Sequence, residues 1–252
     1  MTSEARAVLV TGGSRGIGAA IARAFAELGD RVAVHYGTSA EKGEAVCASL
    51  AGNGHVTVQA DMTRPDDVRT AVDSVAARLG RLDVLVNNAG VFLAHPPLVT
   101  SYDDWQAAWS QTLATNLTGA ANATFCAISH LRAAGGGAVV NVSSRGAFRG
   151  EPNCPAYAAS KAAMNAFGQS MALVLAPHNI SVGTVAPGFV QTEMAREVLD
   201  GPSGDAVRAQ SPFGRVAHAE EVAAAVVWLA SPGARFSSGT IIDVNGASYL
   251  RS

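Results

Sequence analysis

Short apolar runs at residues 7–10, 32–34, 56–58, 84–86, 138–142, 180–185 and 240–244 alternate with longer stretches of helical spacing. The runs are rich in Val and Ile and nearly continuous, as in strands buried on both faces. The stretches between them predict helices over 16–29, 41–51, 66–79, 101–133, 156–176 and 218–230. Gly29 suits a helix C-terminus, Pro65-Asp66-Asp67 opens the third helix, and Pro177 stops the fifth. This βα alternation implies a parallel sheet with helices on both faces. No internal repeat or linker divides the chain, so residues 1–252 read as one domain. One long segment, 188–216, is rich in Gly and Pro and lacks a clear element. Long loops in compact domains are usually functional, which suggests a substrate lid.

Composition narrows the function classes. An apolar content of 48% and a net charge of −2 exclude disorder. The 18 cations are offset by 20 acids, which argues against a basic nucleic-acid-binding face. No apolar run approaches a membrane span, and residues 1–6 are polar, without a signal-peptide core. Three widely spaced cysteines suit a reducing, cytoplasmic compartment. Six histidines form no metal-binding spacing, so no metal is expected. Of the 18 cations, 16 are Arg and only Lys42 and Lys161 are Lys.

The first strand runs into Thr11-Gly12-Gly13-Ser14-Arg15-Gly16-Ile17-Gly18, and a helix follows. Gly12 permits a tight turn, Gly16 lets backbone approach a pyrophosphate, and Gly18 lets the helix sit close to the strand. The helix N-terminus would then face the phosphates. A carboxylate for an adenosine ribose is expected after the second strand, but the chain reads His35-Tyr36-Gly37-Thr38-Ser39. Its absence admits a 2′-phosphate, and Arg15, Thr38 and Ser39 supply donors for one. Arg15 as a solvated loop charge is the competing reading.

Tyr157 and Lys161 stand four apart on a predicted helix and share a face. Ser144 follows the run 138–142, at a strand's carboxyl end, where open α/β sheets bind ligands. A tyrosine near pKa 10 is a poor acid–base group, and a nearby ammonium favours its phenolate. A lysine head suits ribose hydroxyls better than an arginine fork. A serine hydroxyl can hold the substrate oxygen.

With these residues the chain resembles the short-chain dehydrogenase/reductase family over residues 6–250. The matching positions are the glycine loop, Asp61, Asn87-Asn88-Ala89-Gly90, Asn116, Ser144, Tyr157-x-x-x-Lys161, Pro187-Gly188, Thr192 and Val244-Asn245-Gly246. The resemblance implies a doubly wound (Rossmann) seven-stranded parallel sheet, usually assembled as a homotetramer. It implies that Tyr157 exchanges the proton, Lys161 holds the nicotinamide ribose, Ser144 orients the carbonyl and Asn116 organises a water relay. Asp61 and Met62 would face the adenine. Asn88, Ala89, Gly90, Val190 and Thr192 would line the ribose and carboxamide. Tyr36, Thr38 and Ser39 fall in the adenosine region. Asn116 as a cap in a kinked helix, and Asp61 as a turn residue, are the plainer readings. The stretch from Gly90 to Trp109 is about one helical turn longer than the family pattern, and it contains His95-Pro96-Pro97. Trp105 and Trp109 read as core, and Cys154 reads as a pocket-wall thiol.

The expected function is an NADP(H)-dependent oxidoreductase that interconverts a ketone and a secondary alcohol. The pattern is closest to 3-oxoacyl-carrier-protein reductases, which gives the first alternative. A non-catalytic cofactor-binding regulatory protein is the second. The helices 101–133 and 156–176 are poor in charge, and residues 162–195 contain no Lys or Arg, which suggests burial in an oligomer. The cations flanking the site are few, which predicts a small free substrate over a carrier-bound one.

Overall fold

The computed structural model describes residues 5–251; residues 1–4 of the polar N-terminal segment and Ser252 lie outside the described residues. Seven strands form one sheet: β1 (Ala7–Val10), β2 (Arg31–Tyr36), β3 (Val56–Gln59), β4 (Val84–Asn87), β5 (Gly137–Val142), β6 (Ile180–Pro187) and β7 (Ile241–Val244). The order is β3-β2-β1-β4-β5-β6-β7, and every pairing is parallel. Each of the seven apolar runs predicted from the sequence contains or overlaps one of these strands.

Both sheet faces are buried, and the period of two sorts the side chains. Val8 and Val10 point to one layer, packed under α1 (Gly16–Glu27) and α10 (Ala219–Leu229). Ala7 and Leu9 point to the other, under α3 (Pro65–Leu79), α5 (Gly119–Ala133) and α7 (Pro155–Leu175). Local signals set the helix limits. α3 begins with Pro65 at its first turn and ends at Gly80, which takes the left-handed φ of 77°. Gly29 follows α1 with φ 86°. Pro177 lies in the short 3₁₀ turn after α7, and Asn179 closes it with φ 61°.

Two expectations need correction. The predicted helix 101–133 is α4 (Tyr102–Leu113) and α5, joined by a π-helical turn at Ala114–Thr118. The segment 188–216 is not structureless: it holds α8 (Glu193–Asp200) and α9 (Gly204–Arg208). Two further short elements, α2 (Ala40–Ala48) and α6 (Gly146–Arg149), follow β2 and β5.

Strand order runs outward in both directions from the β1–β4 pair. Loops leaving the carboxyl ends of these two strands must part to opposite sides, which opens a crevice there.

Candidate active site

A cleft of about 1110 Å³ opens at those carboxyl ends. Its floor is the glycine loop. Gly12 and Gly16 have φ of 63° and 52°, a region unfavourable for other residues. A Cβ on Gly18 would lie 2.2 Å from the Gly12 carbonyl oxygen, so α1 approaches the loop as only glycine allows. No side chain caps α1 and no acid occupies its first turn. Its leading N–H groups are therefore open to an anion, and Ser14, Arg15 and Ile17 line the cleft around them.

Buried polar contacts hold this floor in shape. The Thr11 hydroxyl accepts from the N–H groups of Asn88 (2.9 Å) and Ala89 (3.1 Å). The Asn88 amide donates to the Thr11 and Gly12 carbonyls at 2.9 and 3.1 Å. His35 Nδ1 accepts from the Gly12 N–H at 2.9 Å, and Nε2 lies 3.1 Å from the Ala60 carbonyl. Those two partners require a neutral ring with its proton on Nε2. Burial pushes the His35 pKa down and favours that form, although the Ala60 carbonyl acts against it. In the sequence His35 stands within a stretch that lacks a carboxylate, and its place at the end of β2 is the signal that puts it beside the glycine loop.

Thr38, Ser39, Asp61, Met62, Gly90, Pro187, Gly188, Val190 and Thr192 all line the cleft as expected. Asp61 Oδ1 accepts from the Thr63 N–H at 2.9 Å and hydroxyl at 2.8 Å, which lowers its pKa. Tyr36 does not line the cleft: its ring turns toward Gly43 of α2. β2 alternates its side chains, so His35 inward means Tyr36 outward. Asp30 lies at the amino end of the sheet, paired to Arg6 at 2.6 Å.

Two charged residues near the adenosine region were missed. Glu193, at the start of α8, lines the cleft and bonds Lys42 of α2 at 3.0 Å. The same carboxylate lies 3.8 Å from Arg15. Arg15 is thus an exposed charge with an acidic neighbour at the rim of the cleft. The rarity of lysine pointed to Lys42, but nothing in the sequence paired it with a residue 151 positions away.

The opposite end of the cleft holds Ser144, Tyr157 and Lys161. Ser144 Oγ accepts from the Gly146 N–H at 3.0 Å, which aims the hydroxyl. Lys161 is 3% exposed, donates to the Val142 carbonyl at 2.8 Å, and lies 5.7 Å from the Tyr157 ring centre. Burial pushes its pKa down to about 8. The expectation that the Tyr157 pKa falls below its ordinary value does not hold. Burial pushes Tyr157 up to about 12, and the Ser144 hydrogen bond offsets only part of that.

Asn116 sits in the π-helical turn, fully buried and outside the cleft lining. Its amide bonds the Val91 backbone twice, accepting from N–H at 2.8 Å and donating to the carbonyl at 3.0 Å. It also donates to Ser160 Oγ at 3.2 Å. These contacts hold the loop carrying Gly90 and Phe92 against α7. The longer 90–109 stretch is anchored by His95, which is 1% exposed. His95 Nε2 accepts from the Ala156 N–H at 3.2 Å, its backbone N–H donates to Asn153 at 2.8 Å, and its ring meets Trp105 edge-on. Trp105 and Trp109 are half-buried braces for this loop, not core. The loop delivers Phe92 edge-to-face against Tyr157 at 4.8 Å. Cys154 is buried outside the cleft lining, with its pKa raised to about 11, chiefly by burial.

A family model described as short chain dehydrogenase matches residues 6–203. D-threitol dehydrogenase of Mycolicibacterium smegmatis is 38% identical over 250 residues, covering 98% of this chain and 94% of that protein. Cis-4-hydroxycyclohexanecarboxylate dehydrogenase of Sinomonas cyclohexanicum is 40% identical, covering 96% and 95%. A 3-oxoacyl-[acyl-carrier-protein] reductase of Staphylococcus aureus is 35% identical, covering 97% and 98%. Among solved structures, a dehydrogenase/reductase from Sinorhizobium meliloti 1021 superposes with TM-score 0.88 at 32% identity, covering 98% of this chain and 97% of its own.

Proposed function

Because the chain belongs to the short-chain dehydrogenase family, whose members are oxidoreductases using a nicotinamide cofactor, we propose that it interconverts a ketone and a secondary alcohol with NADP(H). The observation that carries this reading is Ser144, Tyr157 and Lys161 on one wall of a cleft whose floor is an uncapped helix N-terminus. The residues fit the cofactor: Gly12 and Gly16 take the positive φ that turns the loop, α1 begins without a side-chain cap, and Lys161 retains donors beyond its bond to Val142. When bound, the cofactor supplies or accepts the hydride.

The chain's own residues do the rest. Ser144 holds the substrate oxygen through its hydroxyl. Tyr157, protonated at neutral pH, donates to the developing alkoxide. Lys161 binds ribose hydroxyls and places a positive charge beside the phenolate that remains. Asn116 keeps the Val91 backbone and Ser160 in register behind Lys161. The segment 188–216, with α8 and α9, closes over the bound pair as a lid.

NADP(H) is favoured over NAD(H) because no carboxylate follows β2 and two cations, Arg15 and Lys42, flank the adenosine region. Glu193 balances them and would yield to a 2′-phosphate. Arg15→Ala is expected to weaken NADPH at least tenfold while leaving NADH within about threefold, since a charge-assisted phosphate contact contributes about 1.5–3 kcal/mol. Equal Kd changes for the two cofactors would refute the preference.

The names of the relatives carry a polyol, a cyclic hydroxy acid and a carrier-bound oxoacyl group. A small free substrate fits this chain best: Arg145 is buried and Arg149 is paired with Glu151, so neither is offered to a docking protein. The assembly is a homotetramer in the cytoplasm, with exposed Phe125 on α5 and Leu173 on α7 as contact residues.

A further inference from the structure

The parts of the substrate pocket not used by the hydride and proton chemistry include Phe92, Phe189, Met194, Arg145 and Glu151. Four of these have ordinary explanations as apolar wall or as half of an ion pair. Arg145 does not. It follows Ser144 directly, and its N–H donates to the Pro187 carbonyl at 2.8 Å, which ties it between the ends of β5 and β6. The residue is 3% exposed. Its guanidinium lies 5.4 Å over the Phe189 ring and donates to Ser248 Oγ.

Among the described residues no carboxylate lies within ion-pair distance of it. Two other partly buried arginines each rest on an acid: Arg6 on Asp30 at 2.6 Å and Arg81 on Asp83 at 2.7 Å. The acid near Arg145, Glu151, is 3.6 Å from Arg149. Glu151 therefore pairs with Arg149 and not with Arg145, and the three groups together leave a net positive charge at this wall. Burial and the Arg149 charge both push the Arg145 pKa below its ordinary value, and Glu151 restores only part. A desolvated cation without a counter-ion is costly to fold around. A guanidinium also has five donors, of which Ser248 takes one. That combination of an unneutralised charge and spare paired donors matches a carboxylate.

Resting on the oxidoreductase reading, we propose that Arg145 is the anion-recognising residue of the pocket, and that the substrate is a short oxo or hydroxy acid. Its carboxylate binds Arg145 while its reacting carbon sits between Ser144 and Tyr157. Phe92 and Phe189 pack the carbon frame between these two ends.

The test compares 3-, 4- and 5-oxo carboxylates with their matched primary amides, using NADPH and the intact protein. At least one acid is expected to exceed its amide about tenfold or more in kcat/KM. Arg145→Met should erase that margin by raising KM for the acid, with kcat and the amide within about threefold. Arg145→Lys should restore part of it. A purely structural arginine clamping Ser248 and Phe189 would instead lower acid and amide together. That result overturns the proposal, as does a wild-type enzyme that favours no acid over its amide. If Arg145→Met fails to fold, the wild-type comparison and Arg145→Lys still decide. If no ketone is reduced at all, the oxidoreductase reading fails separately. Calorimetric binding of 4-oxopentanoate against 4-oxopentanamide then decides the anion site: tighter binding of the acid supports it, and equal binding overturns it.

Discussion

Tyr157 keeps its proton because burial raises its pKa to about 12, which suits a proton donor in ketone reduction. Tyr157→Phe is expected to lower reduction by about 10²-fold or more with cofactor Kd nearly unchanged. Reduction within tenfold of wild type would assign the acid elsewhere. Lys161 carries the opposite shift, from 10.5 down to about 8. Its folded pKa lies below its unfolded one, so the buried ammonium opposes folding below about pH 8, and this cost is relieved as pH rises from there to 10.5. Lys161→Met should therefore stabilise the empty protein at pH 7 by about 1–3 kcal/mol, seen as a higher Tm, while abolishing turnover. An unchanged or lower Tm would contradict that. His35 has the same sign: folded, it resists protonation, so stability falls as pH drops below the ordinary histidine value of 6.5. Residue identities at the site were legible because strand ends and helix spacing fix where Ser144, Tyr157 and Lys161 must lie. The reversed tyrosine shift was not, because it depends on how deeply the folded cleft removes the hydroxyl from water.

The glycine loop and α1 form one unit, and Gly18 is its tightest joint. A Cβ there meets backbone at 2.2 Å and the Asn88 amide at 2.5 Å, so α1 must shift bodily. Gly18→Ala is expected to cost about 1–3 kcal/mol in urea unfolding and to weaken cofactor binding strongly. Gly29→Ala, with nothing within 4 Å, should cost about 1 kcal/mol from its φ alone and leave binding intact. Strands and most helices were legible because burial on both faces and strong end signals agree. The π-helical turn at Ala114–Thr118 was not, since one inserted residue barely disturbs a long helical period, and Gly119 at its end does not by itself distinguish a π turn. The helices α8 and α9 were obscured by the surrounding Gly and Pro. The extra turn in 90–109 is legible in the sequence, but its anchor is not: His95 Nδ1 lies 2.7 Å from the Leu93 carbonyl close by in the chain, while Nε2 meets Ala156 only in the fold.

At the scale of the molecule, the sheet order brings the glycine loop and the wall of Ser144, Tyr157 and Lys161 into one crevice, as the βα alternation anticipated. The low-charge helices expose Phe125 at 78% and Leu173 at 81%, so Phe125→Glu with Leu173→Glu should dissociate the proposed tetramer in light scattering. A wild-type monomer at micromolar concentration would refute the tetramer.

One contact also ties the mobility of the entrance to the surrounding medium. Glu193 joins α8 to Lys42 and Arg15 across the cleft, and all three side chains are about half exposed. Dissolved ions screen such a clasp, because the Debye length falls from about 10 Å at 0.1 M to about 3 Å at 1 M. Amide hydrogen exchange across Glu193–Asp200 should therefore quicken with salt in the empty protein, and Glu193→Gln should show the fast rate already at low salt. The doorway would then stand more open in strong brine while the attraction that draws an anionic cofactor toward it fades, so the two effects on entry oppose each other.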